Sequence, residues 1–131
     1  DLDQLFKDVF LFHWKEEAHH AVMDALEWPR EDAKLSENER DMAVGEVIEL
    51  VGSVDTLLQA QRTYDLEYFL KICNTSFDGG QIDQLSDGML KAYRWQYIFS
   101  GVEHVRFQGL LGELATDEQR ERLGAALSPL L

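Results

Sequence analysis

Three of the four histidines in this sequence lie within eight residues of each other, next to two adjacent glutamates. The stretch covers residues 10–20, reads FLFHWKEEAHH, and contains neither glycine nor proline. Imidazole and carboxylate groups bind ions such as iron, manganese and zinc, and they also form hydrogen bonds with each other. The stretch therefore indicates either part of a metal site or a local set of ion pairs.

Helical spacing ranks these residues by the direction in which they point. At about 100° per residue, His20 lies near the centre of an apolar face, with Glu17 and Glu16 on either side of it. His13 lies near the same line two turns earlier, whereas His19 falls about 100° away from the face centre. Glu17 and His20 are three residues apart, so they occupy neighbouring positions on a helix and are able to hold one ion together. The simpler alternative is a Glu16–His20 ion pair, with His13 donating a hydrogen bond to a carbonyl.

The apolar pattern predicts an all-α, up-and-down helical bundle with three long helices and one short C-terminal helix. Pro29 is expected to end the first helix, because proline disfavours the helical conformation in the residue before it. The motif Thr116-x-x-Gln119 predicts a capping box at the start of the short helix. The predicted helices cover about residues 2–28, 37–72, 88–114 and 116–127 of a single domain spanning residues 1–131. A loop over about residues 74–87, with a short helical turn near residues 81–85, connects the second and third helices.

Composition excludes several classes of partner. The net charge is −13, and residues 1–50 contribute 14 acidic and 5 basic side chains, which is −9 of that total. Nucleic acids and anionic membranes require a positive surface, so neither is expected as a partner. Cys73 is the only cysteine, so an intrachain disulfide is excluded. This cysteine usage fits a reducing compartment, and a cytoplasmic location is expected.

The motif Glu17-x-x-His20, on a long helix of an all-α chain, resembles the ferritin-like di-iron carboxylate superfamily. The longer stretch Glu16-Glu17-Ala18-His19-His20 is similar to the second-helix motif of the oxidase and oxygenase members. The resemblance implies a bundle in which two helices each supply a glutamate and two others each supply a Glu-x-x-His motif. It also implies a site for iron or manganese, and a bundle that either a further helix before residue 1 or a second subunit would complete.

The remaining members of such a site are only partly present. On the second helix, Asp55 lies near the apolar stripe, where it would either bind metal or pair with Arg62, seven residues later. On the third helix, Gly101 stands where the glutamate of a Glu-x-x-His motif ending at His104 would be. The predicted ligands are Glu17, His20, Asp55, Glu103 and His104, with His13 and Glu16 as additional candidates.

Two functions follow from these residues. One is a metal-binding protein, with an iron- or manganese-dependent oxidase or oxygenase activity on an unidentified small molecule. The alternative is a non-enzymatic helical interaction module whose polar core residues hydrogen-bond to each other. Phosphate-binding loops and dinucleotide fingerprints are missing from the sequence, so phosphoryl and hydride transfer are not expected. Broad apolar stripes on three helices predict a homodimer, because they leave surface to cover.

Overall fold

The computed structural model describes residues 2–131, and the chain forms two compact units, Asp1–Ser36 and Glu37–Leu131. The described residues are helical apart from short connections and contain no strand, so the all-α prediction is confirmed. Among these helices, none combines the length and the hydropathy needed to cross a membrane.

The first unit consists mainly of helix α1, Gln4–Asp32. Asp3 caps it, because its side chain accepts a hydrogen bond from the backbone N–H of Leu5 at 2.8 Å. The helix continues through Pro29 for a further turn, and Ala33 donates its N–H to the Pro29 carbonyl at 3.1 Å. Pro29 therefore does not end α1 as predicted. Its missing N–H removes only one backbone hydrogen bond near the helix end.

Apolar side chains lie on all sides of α1 rather than on one face. Leu11 is nine residues before His20, which places it about 180° away around the helix. Phe12 and Trp14 are 65% and 67% exposed, and α1 contains no buried residue. A helix with apolar residues around its whole circumference is suited to contact partners on several sides.

The second unit is a helical bundle built along the 36-residue helix α2, Glu37–Ile72. At about 1.5 Å per residue α2 is roughly 54 Å long. Helix α3, Gly79–Arg94, begins nine residues earlier than predicted. The reason is a capping box, in which Asp78 accepts from the Gln81 N–H at 2.8 Å and Gln81 accepts from the Asp78 N–H at 3.0 Å. The glycines after Asp78 are thus the first helical residues rather than a loop.

The predicted long third helix is interrupted twice. After α3 the chain forms a π-helical turn, Trp95–Phe99, in which Ser100 donates its N–H to the Trp95 carbonyl five residues earlier. Helix α4, Ser100–Val102, follows, and helix α5, Val105–Leu114, begins only after a break. The wider π turn accommodates an extra residue and so shifts the positions that face inward. As a result Ile98 is buried, whereas Gln96 is exposed.

The final helix, α6, agrees with the sequence prediction. It spans Asp117–Leu127, and the predicted capping box of Thr116 and Gln119 is present, with both hydrogen bonds formed at 3.2 and 3.1 Å. A 3₁₀ turn, Ser128–Leu130, follows it. The core of the second unit has Leu58, Ile98 and Phe99 at its centre, and half-buried apolar residues surround them: Val51, Val54, Leu90, Tyr93, Val102, Leu127 and Leu130.

Candidate functional site

The most buried charged group of the second unit is Asp55 on α2, which is 5% exposed. Arg94 at the end of α3 donates from Nε to Oδ1 at 2.6 Å and from Nη2 to Oδ2 at 3.0 Å. Gln59 donates from Nε2 to Oδ2 at 2.7 Å. In this bidentate pair, the planar guanidinium matches the planar carboxylate. Asp55 is the only predicted metal ligand of the second unit that is buried, and both of its carboxylate oxygens already accept hydrogen bonds from protein donors.

Arg94 also connects this pair to the C-terminal turn. Its Nη1 donates to the carbonyl of Leu130 at 3.4 Å. One guanidinium thus links α2, α3 and the C-terminal turn around the apolar core. The alternative that paired Asp55 with Arg62 is wrong, because Arg62 donates instead to the Ser86 hydroxyl at 2.7 Å.

The pairing fixes the charge state of Asp55. Hydrogen bonding to Arg94 lowers the pKa of this carboxyl, burial acts in the opposite direction, and Gln59 adds to the lowering. Asp55 is therefore ionised at neutral pH and compensates the positive charge of Arg94. A carboxylate in this state is unsuited to act as a general acid or base near pH 7.

A second polar pair connects α2 and α3 at Asp65. The Tyr93 hydroxyl donates to Oδ2 of Asp65 at 2.6 Å, and Gln61 donates to the same oxygen at 2.8 Å. The hydrogen bond from Tyr93 lowers the pKa of Asp65 and raises the pKa of Tyr93, because it holds the proton on the Tyr93 hydroxyl. Asp55 and Asp65 thus both use their carboxylates to position α3 against α2.

In the first unit, Glu17 lies between two histidines on α1. Its Oε2 is 3.4 Å from Nδ1 of His20, and its Oε1 is 3.8 Å from Nε2 of His13. The side chains of His13, Glu17 and His20 are 63%, 55% and 55% exposed, respectively. Local pairing along α1 therefore describes these contacts, with Glu17 rather than Glu16 as the partner of His20.

Glu103 and His104 lie at the break between α4 and α5, and both are exposed. The ring Nδ1 of His104 accepts the backbone N–H of Arg106 at 3.3 Å, so His104 caps α5. Gln108 supports the break by donating to the Val102 carbonyl at 2.6 Å. The expectation that Glu103 and His104 face inward on one continuous helix is therefore corrected.

These placements bear on the expected iron or manganese. Within residues 2–131, no group of three or more histidine, cysteine, aspartate and glutamate side chains is arranged to hold a metal ion. The residues present do not fit a dinuclear carboxylate site in this arrangement, and the metal hypothesis stays a prediction from the sequence.

Sequence reasoning did not single out the exposed side of α2, which we call the outer face. It consists of Leu50, Leu57, Tyr64 and Tyr68, with exposed fractions of 62%, 69%, 68% and 64%. The first three are spaced by seven residues, which keeps them on one side of the helix. The charged residues of segment 50–64 are Asp55 and Arg62, and both point toward the bundle, where they are hydrogen-bonded.

Comparison of the chain with protein-family models, with curated proteins and with solved structures finds no match to it.

Proposed function

We propose that this protein is a non-enzymatic helical interaction module that forms a homodimer through the outer face of α2. The observation that carries the proposal is the exposure of Leu50, Leu57 and Tyr64 at seven-residue spacing. Large apolar residues that recur in this way are typical of the seams along which two helices pack. Exposed apolar patches of this kind mark interaction surfaces in soluble proteins.

The lack of free charge on the outer face supports a second copy as the partner. A chain of net charge −13 repels another copy of itself, so self-association requires a surface without free charge. Segment 50–64 provides about 22 Å of such a surface. In a twofold dimer both copies contribute the same patch, and an uncharged patch meets itself without like-charge repulsion. Acidic residues lie just beyond both ends of the segment: Glu46, Glu49, Asp65 and Glu67.

The polar contacts inside the bundle support the non-enzymatic part of the proposal. Asp55 is occupied by Arg94 and Gln59, and Asp65 is occupied by Tyr93 and Gln61. These carboxylates connect helices. The architecture that we propose is a derivative of the ferritin-like bundle, in which the motif at Glu17 forms only local contacts with His13 and His20.

The oligomeric state tests this proposal directly. Sedimentation equilibrium of the full chain is expected to give a dimer, and Leu57→Glu, which places a charge at the centre of the outer face, is expected to give a monomer with unchanged helicity. Thr63→Glu is the matched control, since Thr63 is an exposed residue of α2 about 120° away from Leu57. A monomeric parent chain, or a Leu57→Glu variant that remains dimeric, would refute the assignment of this interface.

Metal loading tests the competing function. We expect that adding iron or manganese leaves the melting temperature of the parent chain unchanged, and that His20→Ala behaves in the same way. A ligand that binds the folded state raises its stability. A rise in melting temperature that disappears in His20→Ala would favour the metal-dependent function instead.

A further inference from the structure

The second unit contains an apolar cavity of about 220 Å³ between α2, α5 and α6, which is partly open to solvent. Side chains of α4 and of the C-terminal turn complete its wall. Its lining does not include any member of the outer face of α2. The lining residues are Val47, Ile48, Val51, Gly52, Asp55, Val102, Phe107, Leu111, Leu123, Ala126, Leu127 and Leu130.

Asp55 is the one ionisable residue in this lining, and its charge is already compensated. Both of its oxygens accept hydrogen bonds from Arg94 or Gln59. The cavity therefore offers a ligand neither a free charge nor a free acceptor on Asp55. A charged ligand would lose its hydration without gaining a partner, which disfavours its binding.

Size limits the ligand further. Protein interiors are close-packed, and voids larger than a water molecule are few. An apolar cavity of about 150 Å³ in another protein stays free of water and binds benzene. A cavity of about 220 Å³ has room for a molecule somewhat larger than benzene, such as two fused rings or a short alkyl chain.

We propose that this cavity is a binding site for a small, uncharged, apolar molecule of about the size of a bicyclic aromatic ring. The walls contribute apolar contact, and Arg94 links two of them, α2 through Asp55 and the C-terminal turn through the Leu130 carbonyl. The site is independent of the outer face of α2, so the failure of one proposal does not decide the other.

Indole is a suitable probe, because it is uncharged, bicyclic and soluble in water. Titration of the full chain with indole, followed by methyl NMR, is expected to give saturable shifts at Leu111, Leu123 and Leu127. Indole-3-carboxylate, which carries a charge on the same ring system, is expected to give none. The melting temperature should rise with indole, since binding to the folded state stabilises it.

Two neighbouring alanines on α6 provide matched variants. Ala126 lines the cavity, whereas Ala125 is exposed and outside the lining. Ala126→Leu adds volume inside the cavity and is expected to abolish the indole shifts, while Ala125→Leu should retain them. Gly52→Leu is a second filling variant, because a Cβ atom at Gly52 has no heavy atom within 4 Å.

The indole titration of the parent chain is the first test of the proposed site. Missing shifts, shifts confined to Leu50 and Leu57 on the outer face, or equal shifts with the carboxylate would overturn the proposal. If the parent binds indole and both filling variants fold, unchanged binding in both variants would also overturn it. If one of the two filling variants fails to fold, the other is compared with Ala125→Leu. If both fail to fold, the pattern of indole shifts in the parent chain is the test.

Discussion

At the scale of single residues, the pair of Asp55 and Arg94 is the contact whose loss should cost most. The side chains of Asp55 and Arg94 are only 8% and 19% exposed. Asp55→Asn removes the negative charge and leaves the guanidinium buried without a counter-charge, which typically costs about 3 kcal/mol or more. Urea denaturation of the variant should show a loss of this size.

Asp41 provides the control for that prediction. It pairs with Arg122, and their side chains are 55% and 39% exposed. Ion pairs in water contribute about 1 kcal/mol or less, so Asp41→Asn should change the stability little. Equal losses in Asp55→Asn and Asp41→Asn would show that burial does not set the strength of the pair with Arg94.

The Tyr93 hydroxyl makes a prediction at alkaline pH. Its pKa in the folded chain is raised above the ordinary value of 10.0, chiefly because it donates to Asp65. The stabilisation that it provides is therefore complete below about pH 10 and is lost as the pH rises through the raised folded pKa. Tyr93→Phe should have a flatter stability curve above pH 10, measured by denaturation across that range. Tyr97→Phe is the comparison, because Tyr97 is exposed and makes the smallest of the contributions that raise the pKa of Tyr93. A curve for Tyr93→Phe as steep as that of the parent would contradict the assignment.

At the scale of helices, local signals predicted some elements and missed others. The capping box at Thr116 was predicted, and it correctly placed the start of α6. The equivalent box at Asp78 was missed, because Gly79 and Gly80 were interpreted as turn residues. The π turn after Arg94 has no signal of its own in the sequence, since glycine and proline are missing from residues 95–99. The inward positions after it could therefore not be predicted.

The candidate site was only partly predicted, for two separate reasons. Helical spacing placed Asp55 toward the core correctly, because α2 is regular up to and beyond it. It could not identify Arg94 as the partner, since this contact joins residues 39 positions apart on different helices. Glu103 was placed inward on the assumption of a continuous helix, which the π turn and the break after α4 invalidate.

The cap at Asp78 yields a prediction for α3 as a whole. Asp78→Ala removes the acceptor for the Gln81 N–H and should destabilise the second unit by about 1 kcal/mol. Asp83→Ala serves as the control, because Asp83 is an exposed residue in the same helix and is not its cap. Denaturant unfolding of the two variants should separate them. A cost for Asp83→Ala as large as that for Asp78→Ala would mean that the cap does not stabilise α3.

At the scale of the whole molecule, the described residues bury few large side chains. Leu58, Ile98 and Phe99 are the buried apolar residues among them, whereas large apolar residues of α1 and of the outer face of α2 remain exposed. A chain of this length ordinarily buries about two thirds of the surface that its unfolded form exposes. Association with a partner would cover apolar surface that the described residues leave open.

The excess of negative charge makes the proposed homodimer sensitive to salt in a definite direction. The outer face of α2 is uncharged along residues 50–64, and each copy carries a net charge of −13, so salt screens only repulsion between the copies. Raising sodium chloride from about 0.05 to 0.5 M should therefore lower the dimer dissociation constant measured by sedimentation. Leu57→Glu should stay monomeric throughout the range. A dissociation constant that increases with salt would mean that ion pairs hold the dimer together, and the uncharged outer face would then not be its interface.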